Sequence, residues 1–246
     1  MAFDDKRFNR IFSATILIGM AVMTILATIF KWNTTDTGKM ILIVSAIGSI
    51  FGVLSTVCAA NGRIITFLFG FFDVTIYAVI CFISGRYGNA ALHALYFVPM
   101  QVFGFMQWKK RGASEKKEVK ARRFTGRQWA IYLGIFALSL VAAYFILNRF
   151  DHSESHTLIK MLVLADAFST VCNILGQYLM SNAYMNQWFF WIGVNVSSII
   201  MWSLTLASGE SYALIYVIKY SFYLINAING LRIWLNLSAS DTEVAR

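Results

Sequence analysis

Long apolar stretches separated by short polar breaks dominate the pattern of this chain. Eight stretches are long enough to cross a hydrocarbon core of about 30 Å, which takes roughly 20 helical residues. Strands of a membrane barrel would instead alternate strictly over about ten residues, and these stretches are continuously apolar. The pattern therefore predicts an all-α polytopic membrane protein with eight transmembrane helices. The predicted spans are approximately 11–30, 40–60, 64–84, 89–108, 129–147, 158–180, 188–207 and 212–235.

Composition agrees with a bilayer environment. Of the 246 residues, 58% are hydrophobic and 13% are charged, whereas soluble domains carry about 25% charged residues. A soluble fold of this size could not bury so much apolar surface and still present a polar exterior. The first apolar stretch lacks a small-residue cleavage site, so we expect a retained span and not a signal peptide.

The distribution of basic residues predicts the orientation of the spans. Nine of the 21 Lys and Arg residues fall in one block, 109–127, between two apolar spans. Such a block is typical of a cytoplasmic loop and not of a nucleic-acid groove. With the N-terminus inside, 15 basic residues lie on the cytoplasmic side and five lie outside. We therefore expect both termini in the cytoplasm, contact of the block with membrane lipid, and no nucleic-acid partner.

A weak internal repeat suggests how the spans are grouped. The fourth span ends Gly104-x-x-x-Trp108 and the eighth ends Gly230-x-x-x-Trp234. Two three-helix units joined by one linker span have the same orientation, which is one of the repeat types found in transporters. The sequence thus predicts a parallel 3+1+3 repeat plus one N-terminal helix. The predicted parts are the extra helix in 1–35, the first repeat in 36–110, the basic loop and linker helix in 111–150, the second repeat in 151–237 and a tail in 238–246.

Polar and aromatic residues form single-face stripes on the last three spans. Polar groups inside a membrane are unfavourable, so their placement is informative. These stripes are rich in amides and flat rings, which suits a neutral or delocalised aromatic solute that bears hydroxyl groups. We expect a binding pocket to which the second repeat contributes most. The candidate contacts are Trp188, Trp191, Asn195, Asn173, Gln177, Tyr223 and Asn226, followed by Lys219, Gln101 and Tyr96.

Other features favour structural roles. Pro99, the only proline, predicts a kink in the fourth span. Trp202 and Trp234 lie near span ends, where an interfacial belt is expected. The second span carries a stripe of small residues, which we interpret as a helix-packing face and not as a binding face. The members of this small-residue stripe are Ser45, Gly48, Ser49, Gly52, Ser55 and Thr56.

Enzyme signatures are missing from the sequence. It contains no HExxH, phosphate-loop or GxGxxG motif, so we expect neither an enzyme nor a metal or other cofactor. Asp73 and Asp166 lie within predicted spans. Each is open to two interpretations, a proton relay or a structural role.

The chain resembles the bacterial PnuC nicotinamide riboside transporters over roughly residues 35 to 236. The resemblance rests on Trp188-x-x-Trp191 followed by Asn195, on the Gly104-x-x-x-Trp108 ending and on the 3+1+3 plan. It implies a helix arrangement like that of the SWEET sugar carriers and a homotrimer in the bacterial inner membrane. It also implies facilitated diffusion of nicotinamide riboside into the cytoplasm, where a separate kinase would trap it.

Alternatives stay open at this point. Related carriers take thiamine or riboflavin, which a stacking pocket would also suit. A proton-coupled carrier would use Asp73 or Asp166, and a receptor would bind the solute without moving it. The proline-glutamine dipeptide of SWEET-related proteins is replaced here by Pro99-Met100-Gln101, so no hinge role carries over from it.

Overall fold

The computed structural model describes residues 5–34, 38–83, 85, 87–150, 157–207, 209 and 213–243. Each of the eight predicted spans coincides with helix. The fourth span consists of α4, a π-helical turn at His93–Phe97, and α5. The helices are α1 (Asp5–Thr34), α2 (Lys39–Ala60), α3 (Thr66–Ile83), α4 (Tyr87–Leu92), α5 (Val98–Lys110), α6 (Gly126–Phe150), α7 (Thr157–Ser181), α8 (Gln187–Ala207) and α9 (Ala213–Glu243).

The outer surface of the helix bundle is apolar. Large hydrophobic side chains are exposed along the bundle, and the most apolar stretch of α6 contains no buried residue. Within the described residues, six helices are long and apolar enough to cross a membrane: α1, α2, α3, α6, α8 and α9. The other two predicted spans are α7, which carries several polar side chains, and the divided fourth span. The protein is therefore an all-α polytopic membrane protein, as predicted.

Pro99 is accommodated by the π-helical turn that precedes it. Because proline lacks an N–H and its ring crowds the carbonyl four residues earlier, a regular α-helix cannot continue through it unchanged. Here Pro99 is the second residue of α5, and the Val98 N–H donates to the His93 carbonyl, a bond of π-helical length. The predicted distortion thus takes the form of a wider turn, and such turns change which residues face a neighbouring helix.

Two tryptophans join the three-helix units in matching ways. The Trp108 Nε1 donates to the Met180 carbonyl over 2.7 Å, and the Trp234 Nε1 donates to the Ala59 carbonyl over 2.9 Å. Both acceptors are the next-to-last residue of the first helix in the opposite unit. The two indole rings also contact each other, with centroids 5.3 Å apart. These reciprocal bonds support the predicted duplication.

Each Gly-x-x-x-Trp ending makes room for an aromatic ring of the preceding transmembrane span. A Cβ on Gly104 would overlap the Phe67 ring, and a Cβ on Gly230 would lie 2.5 Å from the Trp188 ring. Phe67 and Trp188 are the second residues of α3 and α8, so the two contacts correspond. Trp234 is completely buried, and its assignment to an interfacial belt was wrong.

The residues between α5 and α6, 111–125, form an ordered basic segment across one end of the bundle. Its main chain bonds to a turn in each unit. The Val119 N–H donates to the Gly62 carbonyl, while Arg122 donates to the Ala183 carbonyl and accepts from the Met185 N–H. Gly62 and Ala183 are both left-handed, with φ of 63° and 59°, so the two turns correspond as well.

Side chains add to this attachment. The guanidinium of Arg123 donates to the Ser238 hydroxyl and to the Leu235 carbonyl of α9, over 2.7 and 2.6 Å. Arg63 forms an ion pair with Glu118 at 3.3 Å. The basic segment therefore contacts both three-helix units, and in the second unit these contacts include the last helix, α9.

Candidate functional site

A cavity of about 380 Å³ lies between the two three-helix units, a size that suits a small organic ligand. Its lining comes from α2, α3, the fourth span, α7, α8 and α9. Both units contribute to the lining, and the second repeat contributes somewhat more of it than the first. The second repeat also supplies both tryptophans and most of the amides. We call this space the central cavity.

Most of the predicted contacts line the central cavity. The structure brings them together from α5, α7, α8 and α9, so the polar stripes of these helices face one space. They are Trp188, Trp191, Asn195, Asn173, Gln177, Tyr223, Lys219 and Gln101.

Tyr96 and Asn226 do not reach the central cavity. The Tyr96 hydroxyl donates to the Ile174 carbonyl of α7 over 2.7 Å, because the π-helical turn directs this ring towards α7. Asn226 is buried, and its amide donates to the Thr56 carbonyl of α2 over 3.3 Å. Both side chains join helices of different units, which corrects their assignment as ligand contacts.

The two site tryptophans are fixed by glycines and differ in their polar atoms. Trp188 packs on Gly230, and its buried Nε1 has no hydrogen-bond partner among the residues that the structure describes. A Cβ on Gly176 would lie 3.2 Å from the Trp191 ring, whose Nε1 donates to Gln187 over 3.3 Å. The Trp188 Nε1 is thus a buried donor without a described partner, whereas the donor of Trp191 is already satisfied.

Three amide side chains use their nitrogens within the protein. Asn173 donates to the Ser169 carbonyl over 2.9 Å, Gln177 to the Ser181 hydroxyl over 3.1 Å and Gln101 to the Phe97 carbonyl over 3.3 Å. None of the described residues donates to the side-chain oxygens of these amides. The amides therefore present acceptor oxygens to a ligand, which needs donors to match them.

The second span contributes more than packing. Gly48 does pack closely, since a Cβ there would lie 2.8 Å from Ile76. Gly52, Ser55 and Thr56, however, line the central cavity, so this face does not serve helix packing alone. Periodicity identified the small-residue stripe, but a small residue can make room for a helix or for a cavity.

One charged side chain that was not among the predicted contacts also lines this cavity. Asp73 of α3 lines the central cavity together with Lys219, whereas Asp166 does not. A Cβ on Gly52 would lie 2.9 Å from the Asp73 carboxylate, so the glycine lets this charge approach α2. The sequence signal was available, because an ionisable residue inside a span marks a functional site by default.

A second cavity, of about 620 Å³, lies towards the end of the bundle opposite the basic segment. The last turns of α1, the first half of α2 and the second half of α3 line it. Trp202 and Tyr216 stack there with centroids 4.2 Å apart. Trp202 thus lines this space, which we call the outer cavity because it lies at the end of the bundle away from the basic segment.

Comparison with known proteins identifies the family. Residues 42–236 match the family model described as "Nicotinamide mononucleotide transporter". This chain belongs to that family. Since the match covers most of the chain, this member of the nicotinamide mononucleotide transporter family is a multi-pass membrane transporter.

Individual members of the family agree. The "Nicotinamide riboside transporter PnuC" of Neisseria mucosa is 31% identical over 197 residues, which cover 78% of this chain and 72% of that protein. The PnuC of Haemophilus influenzae is 26% identical over 193 residues, 78% of each chain. A crystal structure of the vitamin B3 transporter PnuC superposes with a TM-score of 0.68 at 27% identity, covering 93% of this chain and 92% of the other. The predicted resemblance to PnuC transporters is confirmed.

Proposed function

We propose that this protein carries nicotinamide riboside across the membrane by facilitated diffusion through the central cavity. The observation that carries this proposal is the cavity itself. Its lining combines a Trp pair, of which Trp188 carries a buried indole donor without a described partner, with amide acceptor oxygens around a space of ligand size. The relatives named as nicotinamide riboside transporters add independent support.

The groups of nicotinamide riboside match those of the cavity. Its pyridinium ring is flat and positively charged, and tryptophan faces attract such rings. The Trp188 Nε1 would donate to an oxygen of the ligand. The free oxygens of Asn173, Gln177 and Gln101 would accept from the ligand's carboxamide N–H groups and ribose hydroxyls.

A riboside fits better than its phosphorylated form, the mononucleotide. Phosphate is usually held by several cationic or backbone donors, often with bidentate arginine. Among the described lining residues, Lys219 is the single lysine or arginine of the central cavity, and Asp73 lies beside it. This charge balance disfavours a dianionic phosphate group.

Transport would follow from relative movement of the two three-helix units around the cavity. The Trp108–Trp234 contact, with Phe67 and Trp188, forms a buried aromatic layer on the side of the cavity towards the basic segment. The outer cavity lies on the other side. We propose that both termini and the basic segment are cytoplasmic, in the inner membrane, so that this conformation is closed to the cytoplasm. Net uptake then needs only the removal of the riboside by a kinase.

The first experiment uses calorimetry to measure the binding of nicotinamide riboside, thiamine and riboflavin to the detergent-purified protein. We expect nicotinamide riboside to bind at micromolar or lower concentration, and Trp191→Ala to weaken it at least tenfold by removing the stacking surface. Trp129→Ala, a tryptophan of α6 outside both cavities, is the matched control and should bind normally. Binding of thiamine or riboflavin in place of the riboside would contradict the substrate.

Flux into proteoliposomes separates a carrier from a receptor and tests ion coupling. A proton-coupled carrier is the second candidate, because Asp73 lines the cavity. For facilitated diffusion we expect riboside entry down its gradient that is unchanged by a proton gradient or an uncoupler. Entry that follows the proton gradient would favour the second candidate, and binding without entry would favour a receptor.

A further inference from the structure

We propose that Asp73 makes the central cavity selective for a positively charged nucleoside over an uncharged analogue of the same shape. This inference rests on the proposed function and names a residue that determines its specificity. It starts from a carboxylate inside the membrane, in the middle of α3, against the glycine of α2. None of the described residues donates a hydrogen bond to this carboxylate.

A buried charge of this kind needs compensation. Isolated carboxylates are strongly disfavoured in an apolar environment unless a positive charge or several donors accompany them. Lys219 of α9 is close enough for its charge to interact with that of Asp73. Among the described residues, however, ion-pair contact joins Arg63 to Glu118 and does not join Asp73 to Lys219. The Lys219 Nζ instead lies 5.8 Å from the centre of the Tyr223 ring.

Compensation of the Asp73 charge is therefore incomplete in this conformation. A cation in the central cavity would supply the remainder, because the carboxylate lines that cavity. Charges interact far more strongly in such a site than in water. A neutral ligand gains nothing from this field, and a ligand with a net negative charge is repelled.

The position of Asp73 along the path strengthens the inference. Of the described lining residues, only Asp73 and Lys219 border both the central and the outer cavity. A solute that moved directly from one cavity to the other would pass this pair. The carboxylate would thus act on the solute both during entry and after binding.

The test compares two ligands that differ in ring charge. Nicotinamide riboside is a cation, and 1,4-dihydronicotinamide riboside carries the same carboxamide and ribose on an uncharged ring. The measured quantity is the ratio of their dissociation constants, determined by calorimetry on the full-length protein. The tryptophans also favour the cation, so the change in this ratio between wild type and Asp73→Asn isolates the contribution of the carboxylate.

We expect wild type to prefer the cation and Asp73→Asn to reduce that preference about tenfold, which corresponds to about 1.4 kcal/mol. Asp73→Glu should keep most of the preference because it keeps the charge. Asp166→Asn, which removes a carboxylate outside both cavities, is the matched control and should leave the ratio unchanged. An unchanged ratio in a folded Asp73→Asn protein overturns the proposal.

A second variant serves if Asp73→Asn does not fold. Lys219→Met removes the partial counter-charge, so the preference for the cation should rise several-fold; a preference that stays the same or falls would contradict us. Failure of wild type to bind either ligand would count against the proposed function. Binding of both ligands with a ratio insensitive to Asp73 would overturn only this inference.

Discussion

Single residues decide which polar groups of the cavity are left for a ligand. Trp188 and Trp234 lie in the same aromatic cluster, with centroids 6.2 Å apart, yet their indole nitrogens have different environments. The Trp234 Nε1 bonds to Ala59, and the Trp188 Nε1 is buried without a partner among the described residues. A buried donor without a partner is unfavourable, and a ligand oxygen would satisfy it.

This difference predicts different effects of the same substitution. Trp188→Phe should weaken riboside binding about five- to tenfold, because a hydrogen bond worth about 1 kcal/mol is lost. Both Trp188→Phe and Trp234→Phe remove part of a buried ring and should lower the stability. Trp234→Phe should lower it by about 1 kcal/mol more, because it also breaks the bond to Ala59, and should leave binding nearly unchanged. Calorimetry and thermal melting of both variants measure the two effects. Equal loss of binding in both would contradict a ligand bond at Trp188.

At the scale of helices, the fourth span shows how a local break directs side chains. Gln101, two residues after Pro99 in α5, lines the central cavity. The π-helical turn before Pro99 holds Tyr96 against α7. His93 and Phe97 of the same turn also line the cavity. The turn therefore contributes to the cavity wall and to a bond between the two units.

Tyr96 is accordingly predicted to matter for stability and not for binding. Tyr96→Phe removes the bond to the Ile174 carbonyl and should lower the free energy of unfolding by about 1 kcal/mol, with riboside affinity unchanged. Tyr223→Phe is the matched control, since Tyr223 lines the cavity, and should weaken binding instead. The measurements are thermal melting and calorimetry. Loss of affinity in Tyr96→Phe would mean that Tyr96 itself contacts the ligand.

The helices and their faces could be predicted from the sequence, because apolar length and polar periodicity follow directly from the bilayer. The roles of individual residues on those faces could not. Asn195 and Asn226 both lie on polar stripes, yet Asn195 lines the cavity and Asn226 bonds to Thr56. A stripe reveals only that a residue faces away from lipid. Whether it then meets a helix or a cavity depends on the packing of the partner.

The small-residue stripe of α2 illustrates the same limit. Gly48 packs against Ile76, and one turn later Gly52 lies beside Asp73 on the cavity wall. Both glycines belong to one continuous face of one helix. The π-helical turn was equally out of reach, because Pro99 predicts a distortion without specifying its form.

At the scale of the whole molecule, the orientation in the membrane follows from charge and can be measured. The positive-inside rule predicts that Ser114, exposed in the basic segment, faces the cytoplasm and that Tyr87, at the start of α4, faces outwards. In right-side-out vesicles, a membrane-impermeant maleimide should label Tyr87→Cys and spare Ser114→Cys. Inverted vesicles should give the reverse, and unmodified protein is the control for Cys58, Cys81 and Cys172. Labelling of Ser114→Cys from outside would invert the proposed topology.

The basic segment bonds main chain to main chain with turns that belong to different units, at Gly62 and at Ala183. If the units separated at that end, one of these attachments and the Trp108–Trp234 contact would have to break. Around the outer cavity, the described residues form no main-chain hydrogen bond that joins the two units. Opening is thus energetically unequal at the two ends. We therefore expect the unliganded carrier to favour the conformation that is closed at its basic segment and open to solute from the opposite side.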